Sequence, residues 1–267
     1  MRGMTSTSLA LAALAAAFMA TPARADPDAL LQKVKDRGTL RICAAAYAPW
    51  NLKNPITNEW EGIVPDIVKQ IGEALKVKVE WVDASWATIV PSLQTDKCDL
   101  AGAAIWTAPP RAEVISFTRP IGGDGMTIFV PSTSTAKSLA DVDQPGKVVA
   151  VASGSADERV AKSLFKNAQV KPIVSDQASP AVMELGAGRA DAASAAFAGT
   201  SLFVKNNPNL HVKPIEGLTY NYTAFALGVP AREYFFRDYM NVVIGNLDDS
   251  GKLKEIRDKW TKLPSSP

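Results

Sequence analysis

With 267 residues, 47% apolar and 21% charged, the chain has the composition of one large globular domain or two modest ones, which excludes disorder. The formal net charge of +2 is too small to imply a nucleic-acid partner. The basic residues form no stripe: in DDSGKLKEIRDKW they alternate with acids, as on a solvated helix face.

The N-terminus reads as an export signal. Arg2 gives a basic start, LALAALAAAFMA an apolar run, and Ala23 and Ala25 place small residues at both key positions, so cleavage is expected after Ala25. The run is shorter than the roughly 20 apolar residues that a membrane span needs. PDALLQKVKDRG then has helical spacing and stops at Gly38, and TLRICAAA is a buried strand. After the Pro- and Asn-rich loop APWNLKNPITNEWEG come an amphipathic helix (IVPDIVKQIGEALK) and an alternating strand (VKVEWVD). A short helix (WATIVPSLQTDK) leads into the apolar strand CDLAGAAIW. A second series starts at GMTIFV: KVVAVAS is a strand, GSADERVAKSLFK a helix with Ser155 at its cap, VKPIV a strand and SPAVMELGAG a helix. ADAASAAFA is a further apolar stretch of small residues, GLTYNYTAFALGV a strand, and two helices close the chain.

Alternation of strands and helices predicts an α/β protein of two lobes, each with a parallel-type sheet flanked by helices. The glycine-containing segments RPIGGDG and GLTYN are candidates for two hinge strands between them. Cys43 and Cys98 are the only cysteines. Both lie in apolar runs where a free thiol packs as a small hydrophobe, the reading their setting favours. A bridge is the alternative, open only if strand register brings the Cα atoms within about 7 Å.

Catalytic signals are thin. His211, the single histidine, sits in the polar loop NNPNLHVKP with no nucleophile elbow nearby. Zinc-ligand spacing and a glycine-rich phosphate loop are missing from the sequence, so no metal or cofactor is expected. Arg111, in AIWTAPPRAEVISFTRP, is different. It follows the end of a parallel strand, where open α/β sheets hold ligands, and its fork suits a carboxylate. A structural ion pair is the competing role.

The order LRI, YAPW, GIVPDIV, IVPSLQTDKCDL, Arg111, FTRP, VASGS, GRADA, DSGKL and KW resembles the polar-amino-acid family of periplasmic solute-binding proteins that serve ABC importers. The resemblance runs from Leu40 to Trp260. It implies the type II periplasmic-binding fold, with lobe 1 at about 26–121 plus 220–267, lobe 2 at 122–219 and a ligand cleft between them. It also implies a periplasmic location, a monomer and an inner-membrane ABC permease as partner.

Carried over by residue, the resemblance makes Tyr47 and Trp86 opposing aromatic walls and Arg111 the grip on a ligand carboxylate. Ser155 and Gly154 fall at the helix start that meets the same carboxylate through backbone N–H groups. Departures are equally specific. Ala196 stands where amino-acid binders carry an aspartate for the α-ammonium, and Ala44 where binders of cationic side chains carry an acid. Ala103, Ala104 and Trp106 occupy positions often serine, and the threonine is displaced to Thr107. Asp124 in GGDG is a candidate replacement for the ammonium partner, or else a turn former between glycines. Trp106 is a candidate third aromatic wall.

Since an enclosed, unpaired ammonium costs several kcal/mol, the cleft looks unsuited to lysine, arginine or histidine and is no ready fit for ordinary α-amino acids either; a small carboxylate-bearing ligand, amino-acid-like or another organic acid, is expected. Two other functions remain open: a periplasmic enzyme resembling cyclohexadienyl dehydratase, for which no carboxylate can be placed in the cleft from sequence, and an accessory protein of a periplasmic redox enzyme.

Overall fold

The computed structural model describes residues 29–177 and 179–261; the expected export signal and its cleavage point lie outside the described residues. The first part of the chain forms α1 (Ala29–Arg37), β1 (Thr39–Ala44), a small hairpin of β2 (Leu52–Lys53) and β3 (Trp60–Glu61), and α2 (Ile63–Leu75). It continues through β4 (Lys78–Asp83), α3 (Ile89–Gln94), β5 (Leu100–Trp106), α4 (Pro109–Ala112) and β6 (Ile115–Phe117). Next come β7 (Gly122–Pro131), α5 (Leu139–Val142), β8 (Val148–Ala152), α6 (Ala156–Leu164) and β9 (Gln169–Ile173). They are followed by α7 (Pro180–Gly186), β10 (Ala192–Ala196), α8 (Phe197–Asn206) and β11 (Val212–Pro214). The chain returns through β12 (Tyr220–Pro230) and ends in α9 (Tyr234–Asp249) and α10 (Lys252–Thr261).

Local pattern explains most of these elements. In α2 the residues Ile63, Ile67 and Ile71 recur every fourth position and are buried, with Val64, Val68 and Leu75 beside them. The strands β5 and β10 are buried at every position, as strands covered on both faces must be. The helix α8 was not foreseen. It starts directly from β10, its N-cap Ala196 has no side chain that could cap it, and only Gly199 and Thr200 are buried, so FAGTSLFVKN carries little helical signal.

The main sheet runs β4-β1-β5-β12-β7-β10-β8-β9. Parallel pairing joins β4, β1 and β5 on one side and β10, β8 and β9 on the other. The expected two parallel sets are present, but they are not separate sheets. The long strands β7 and β12 pair antiparallel with each other and with the innermost strand of each set, stitching both into one continuous sheet. Buried side chains still divide: Ile42, Ile67 and Phe236 belong to one cluster, Ile128, Val151 and Phe165 to another.

Cys43 and Cys98 are bridged, with Cα atoms 5.6 Å apart. The reading as packed thiols is corrected: Cys98 lies outside the strand, at the bend that leads into β5, and that bend brings it beside Cys43 of β1 within bridging distance. Among the described residues no helix is long and apolar enough to cross a membrane.

Candidate functional site

The carboxyl ends of β1, β5, β8 and β10 converge on one cavity of about 50 Å³. Each strand delivers its own residue: Tyr47 after β1, Trp106 at the end of β5, Ser155 after β8 and Ala196 at the end of β10. This is the crevice that open α/β sheets offer to ligands. Its walls are aromatic. Tyr47 meets Trp86 edge to face, with centroids 6.4 Å apart, and Phe225 supports both Tyr47 and Trp106 from behind at 6.0 and 5.4 Å.

Arg111 lies on the short helix α4 after β5, is only 8% exposed and lines the cavity. Its Nη1 donates to the Trp106 carbonyl at 3.3 Å and its Nη2 to the Gly154 carbonyl at 3.0 Å. A guanidinium has five N–H donors, so these bonds leave one hydrogen on each Nη and the Nε–H. Arg111 forms no ion pair with any described residue, unlike the clustered arginines Arg37 and Arg41. Burial pulls its pKa down to about 10, helped by the positive charge of Arg159 and opposed by Asp157, so it stays cationic at neutral pH.

Opposite stands Asp157, which sequence reasoning missed. It occupies the first turn of α6, two residues after the Ser155 cap. Acids are ordinary there because they suit the helix dipole, and that hid it. Part of the residue is solvent-exposed, but Oδ1 is sealed and has no hydrogen-bond partner. Desolvation raises the carboxyl pKa to about 7, and Asp124 adds to the shift. The Ser155 hydroxyl, the Asp157 backbone N–H and Arg111 oppose it. No ion pair within 4 Å joins Asp157 to Arg111, although both line the cavity.

Five of the expected site residues therefore share this cavity: Tyr47, Trp86, Trp106, Arg111 and Ser155. Three do not line it. Thr107 turns its hydroxyl to the Ala224 carbonyl, 3.3 Å away on β12. Gly154 uses its carbonyl for Arg111 and donates its N–H to Glu158 at 2.7 Å, so that N–H is already engaged. Asp124 accepts from the backbone N–H groups of Ala198 and Gly199 at the start of α8, from Gly125 N–H and from the Tyr47 hydroxyl at 3.2 Å. It caps a helix and orients Tyr47. Burial raises its pKa and those N–H groups oppose the rise.

Two glycines permit close backbone contacts beside the cavity. A Cβ on Gly154, whose φ is +73°, would lie 2.5 Å from Ala87 Cα, and one on Gly199 would lie 2.4 Å from the Ala48 carbonyl oxygen. Thus the entries of α6 and α8 press directly on the loops that carry Trp86 and Tyr47.

The sequence matches the bacterial extracellular solute-binding proteins, family 3, over residues 40–263. The chain belongs to that family. A probable amino-acid ABC transporter periplasmic-binding protein of Sinorhizobium fredii is 24% identical to this solute-binding protein, covering 88% of this chain and 81% of its own. The cyclohexadienyl dehydratase of Pseudomonas aeruginosa is also 24% identical, over 94% of this chain and 92% of its own. Among solved structures, an ancestral amino-acid-binding protein described as a precursor of cyclohexadienyl dehydratase superimposes with a TM-score of 0.78 at 26% identity. It covers 86% of this chain and 99% of its own. Two-lobed type II periplasmic-binding architecture is thus common to the chain and its neighbours.

Proposed function

We propose that this protein is an exported, monomeric receptor that encloses a small carboxylate-bearing molecule between two lobes and delivers it to an inner-membrane ABC permease. Its lobes are 26–121 with 220–267, and 122–219; Arg111 grips the acid group while Tyr47, Trp86 and Trp106 enclose the rest. One observation carries the reading: a buried guanidinium lines the cavity with donors to spare and no carboxylate of the described residues within ion-pair distance. Such a charge is costly in the free protein and becomes favourable when an anion forks onto it. Replacing Arg111 by alanine removes two charge-assisted bonds of about 1.5–3 kcal/mol each, so Kd rises by roughly a hundred-fold or more. Calorimetry with the wild type and Arg111→Ala measures this directly. An affinity unchanged within a factor of two defeats the reading.

A second function is favoured by Asp157. A carboxyl titrating at about 7 in an aromatic-walled cavity has the protonation balance of a general acid. On that reading Asp157 protonates the ring hydroxyl of a cyclohexadienyl acid, which leaves as water while the ring carboxylate departs as CO2 and its bonding electron pair aromatises the ring, as the dehydratase relative suggests. Turnover of a prephenate-type acid to an aromatic product, followed by absorbance and lost in Asp157→Asn, establishes an enzyme. The receptor reading expects no turnover.

A further inference from the structure

Among the described residues, four buried side-chain polar atoms lack a partner, and two of them, Asp157 Oδ1 and Ser179 Oγ, belong to residues that line the cavity of Arg111. Clustering of orphan polar groups in one cavity marks a place where something else completes the hydrogen bonding. The cavity therefore presents two opposite charges, a guanidinium and a carboxyl, held apart beyond ion-pair distance. A ligand satisfying both carries an anion and a cation close together.

We propose that Asp157 accepts the ammonium group of a zwitterionic α-amino acid whose carboxylate is held by Arg111 and whose side chain is short and uncharged. This rests on the receptor reading. The other two positions open to an ammonium acceptor do not serve: residue 196 is alanine, and Asp124 has its oxygens committed to the start of α8 and to Tyr47. The rest of the wall carries no further charge. Beyond the rings and a few hydroxyls it consists of small apolar side chains such as Ala46, Ala152, Ala181, Val182 and Ala195. A cationic side chain would find no second anion there, and burying it unpaired is prohibitive. Size points the same way: about 50 Å³ of cavity holds only a handful of water-sized groups. The recognition aspartate has thus moved from the end of a strand to the first turn of α6.

The test uses the full-length mature chain, its Asp157→Asn and Arg111→Ala variants, and matched probes. Glycine, L-alanine and L-serine are set against acetate, propionate and 3-hydroxypropionate, which lack only the amino group, with L-arginine as a cationic probe. The wild type is expected to bind at least one of the three amino acids at least about thirtyfold more tightly than its des-amino counterpart, and more tightly than arginine. Asp157→Asn, which keeps the side-chain volume, is expected to lose about tenfold or more for that amino acid and less than threefold for the plain acid. Equal binding of amino and des-amino probes by the wild type overturns the inference, as does an Asp157→Asn variant that retains amino-acid affinity. If the plain acids still bind through Arg111, the receptor reading survives that failure. Failure of every probe to bind, or binding indifferent to Arg111→Ala, overturns both. A free-protein melting temperature at or above that of the wild type shows that Asp157→Asn is folded.

Discussion

Asp99 and Asp157 are both withdrawn from water, but only the first has its charge answered. Asp99, wholly buried just before β5, accepts from Arg37, from the guanidinium of Arg41 at 2.7 and 3.3 Å, and from Arg41 N–H at 2.8 Å. Both oxygens are engaged, Oδ2 by three donors and Oδ1 by one, and the cluster ties α1 and β1 to the start of β5. Asp157 is given one hydroxyl and its own N–H, its Oδ1 is left bare, and its carboxyl retains its proton to about pH 7. Carboxylates satisfied internally hold a fold together, whereas one left open at a cavity wall is available to a ligand.

The comparison breaks most visibly at Asp99. Asp99→Ala leaves Arg37 without its carboxylate and Arg41 with Asp96 alone, their side chains only 22–30% exposed. Breaking a buried pair from one side costs about 3–5 kcal/mol, which for a chain of this size lowers Tm by roughly 10 °C. Ligand affinity should hardly change, because Asp99 precedes β5 while the cavity lies past its far end at Trp106. Differential scanning calorimetry with calorimetric titration separates the two effects. A variant that loses binding but not stability would reverse the assignment.

Asp157→Asn should act in the opposite sense. The carboxyl titrates near 3.8 unfolded and near 7 folded. Between those values the folded state keeps a proton that the unfolded state has lost, so this contribution is whole below pH 3.8 and is lost as pH rises through 7. Asparagine does not titrate. Without ligand, the variant should therefore match the wild type near pH 4 and exceed it above pH 7 by on the order of 2 kcal/mol, discounted for the residue's partial exposure. Urea denaturation across that pH range measures the gap. A gap that widens on acidification contradicts the burial argument.

These two aspartates also mark what the amino-acid order disclosed. Strand-helix alternation was readable because β5 and β10 are continuous apolar runs and α2 repeats its isoleucines every fourth residue. Arg111 could be placed from its position after a strand, whereas Tyr47, Trp86, Trp106 and Ser155 were brought beside it by the resemblance to the solute-binding family. Asp157 could not, since an acid in a first helical turn is locally unremarkable and its surroundings are set by residues distant in sequence, such as Arg111 and Asp124. Asp124 pointed elsewhere for a related reason: its role is to cap α8, a helix whose sequence gives no warning of its start. The disulfide likewise turns on how the bend before β5 sits against β1, which no local pattern contains.

The smallest expected effect joins the two regions of argument at Ser155. Its Oγ accepts from Glu158 N–H at 3.2 Å and so caps α6, while its hydroxyl also supports the carboxyl of Asp157. Ser155→Ala should cost about 1 kcal/mol through the lost cap, whereas Ser155→Gly should cost only a few tenths. Both variants also remove a donor from Asp157, which must move its titration higher still. The pH at which wild type and variant stabilities diverge should thus shift upward equally in both, though their overall losses differ. A cap that merely held the helix would change the stability and leave the titration in place. Only a serine that serves the open carboxylate as well as the helix moves both.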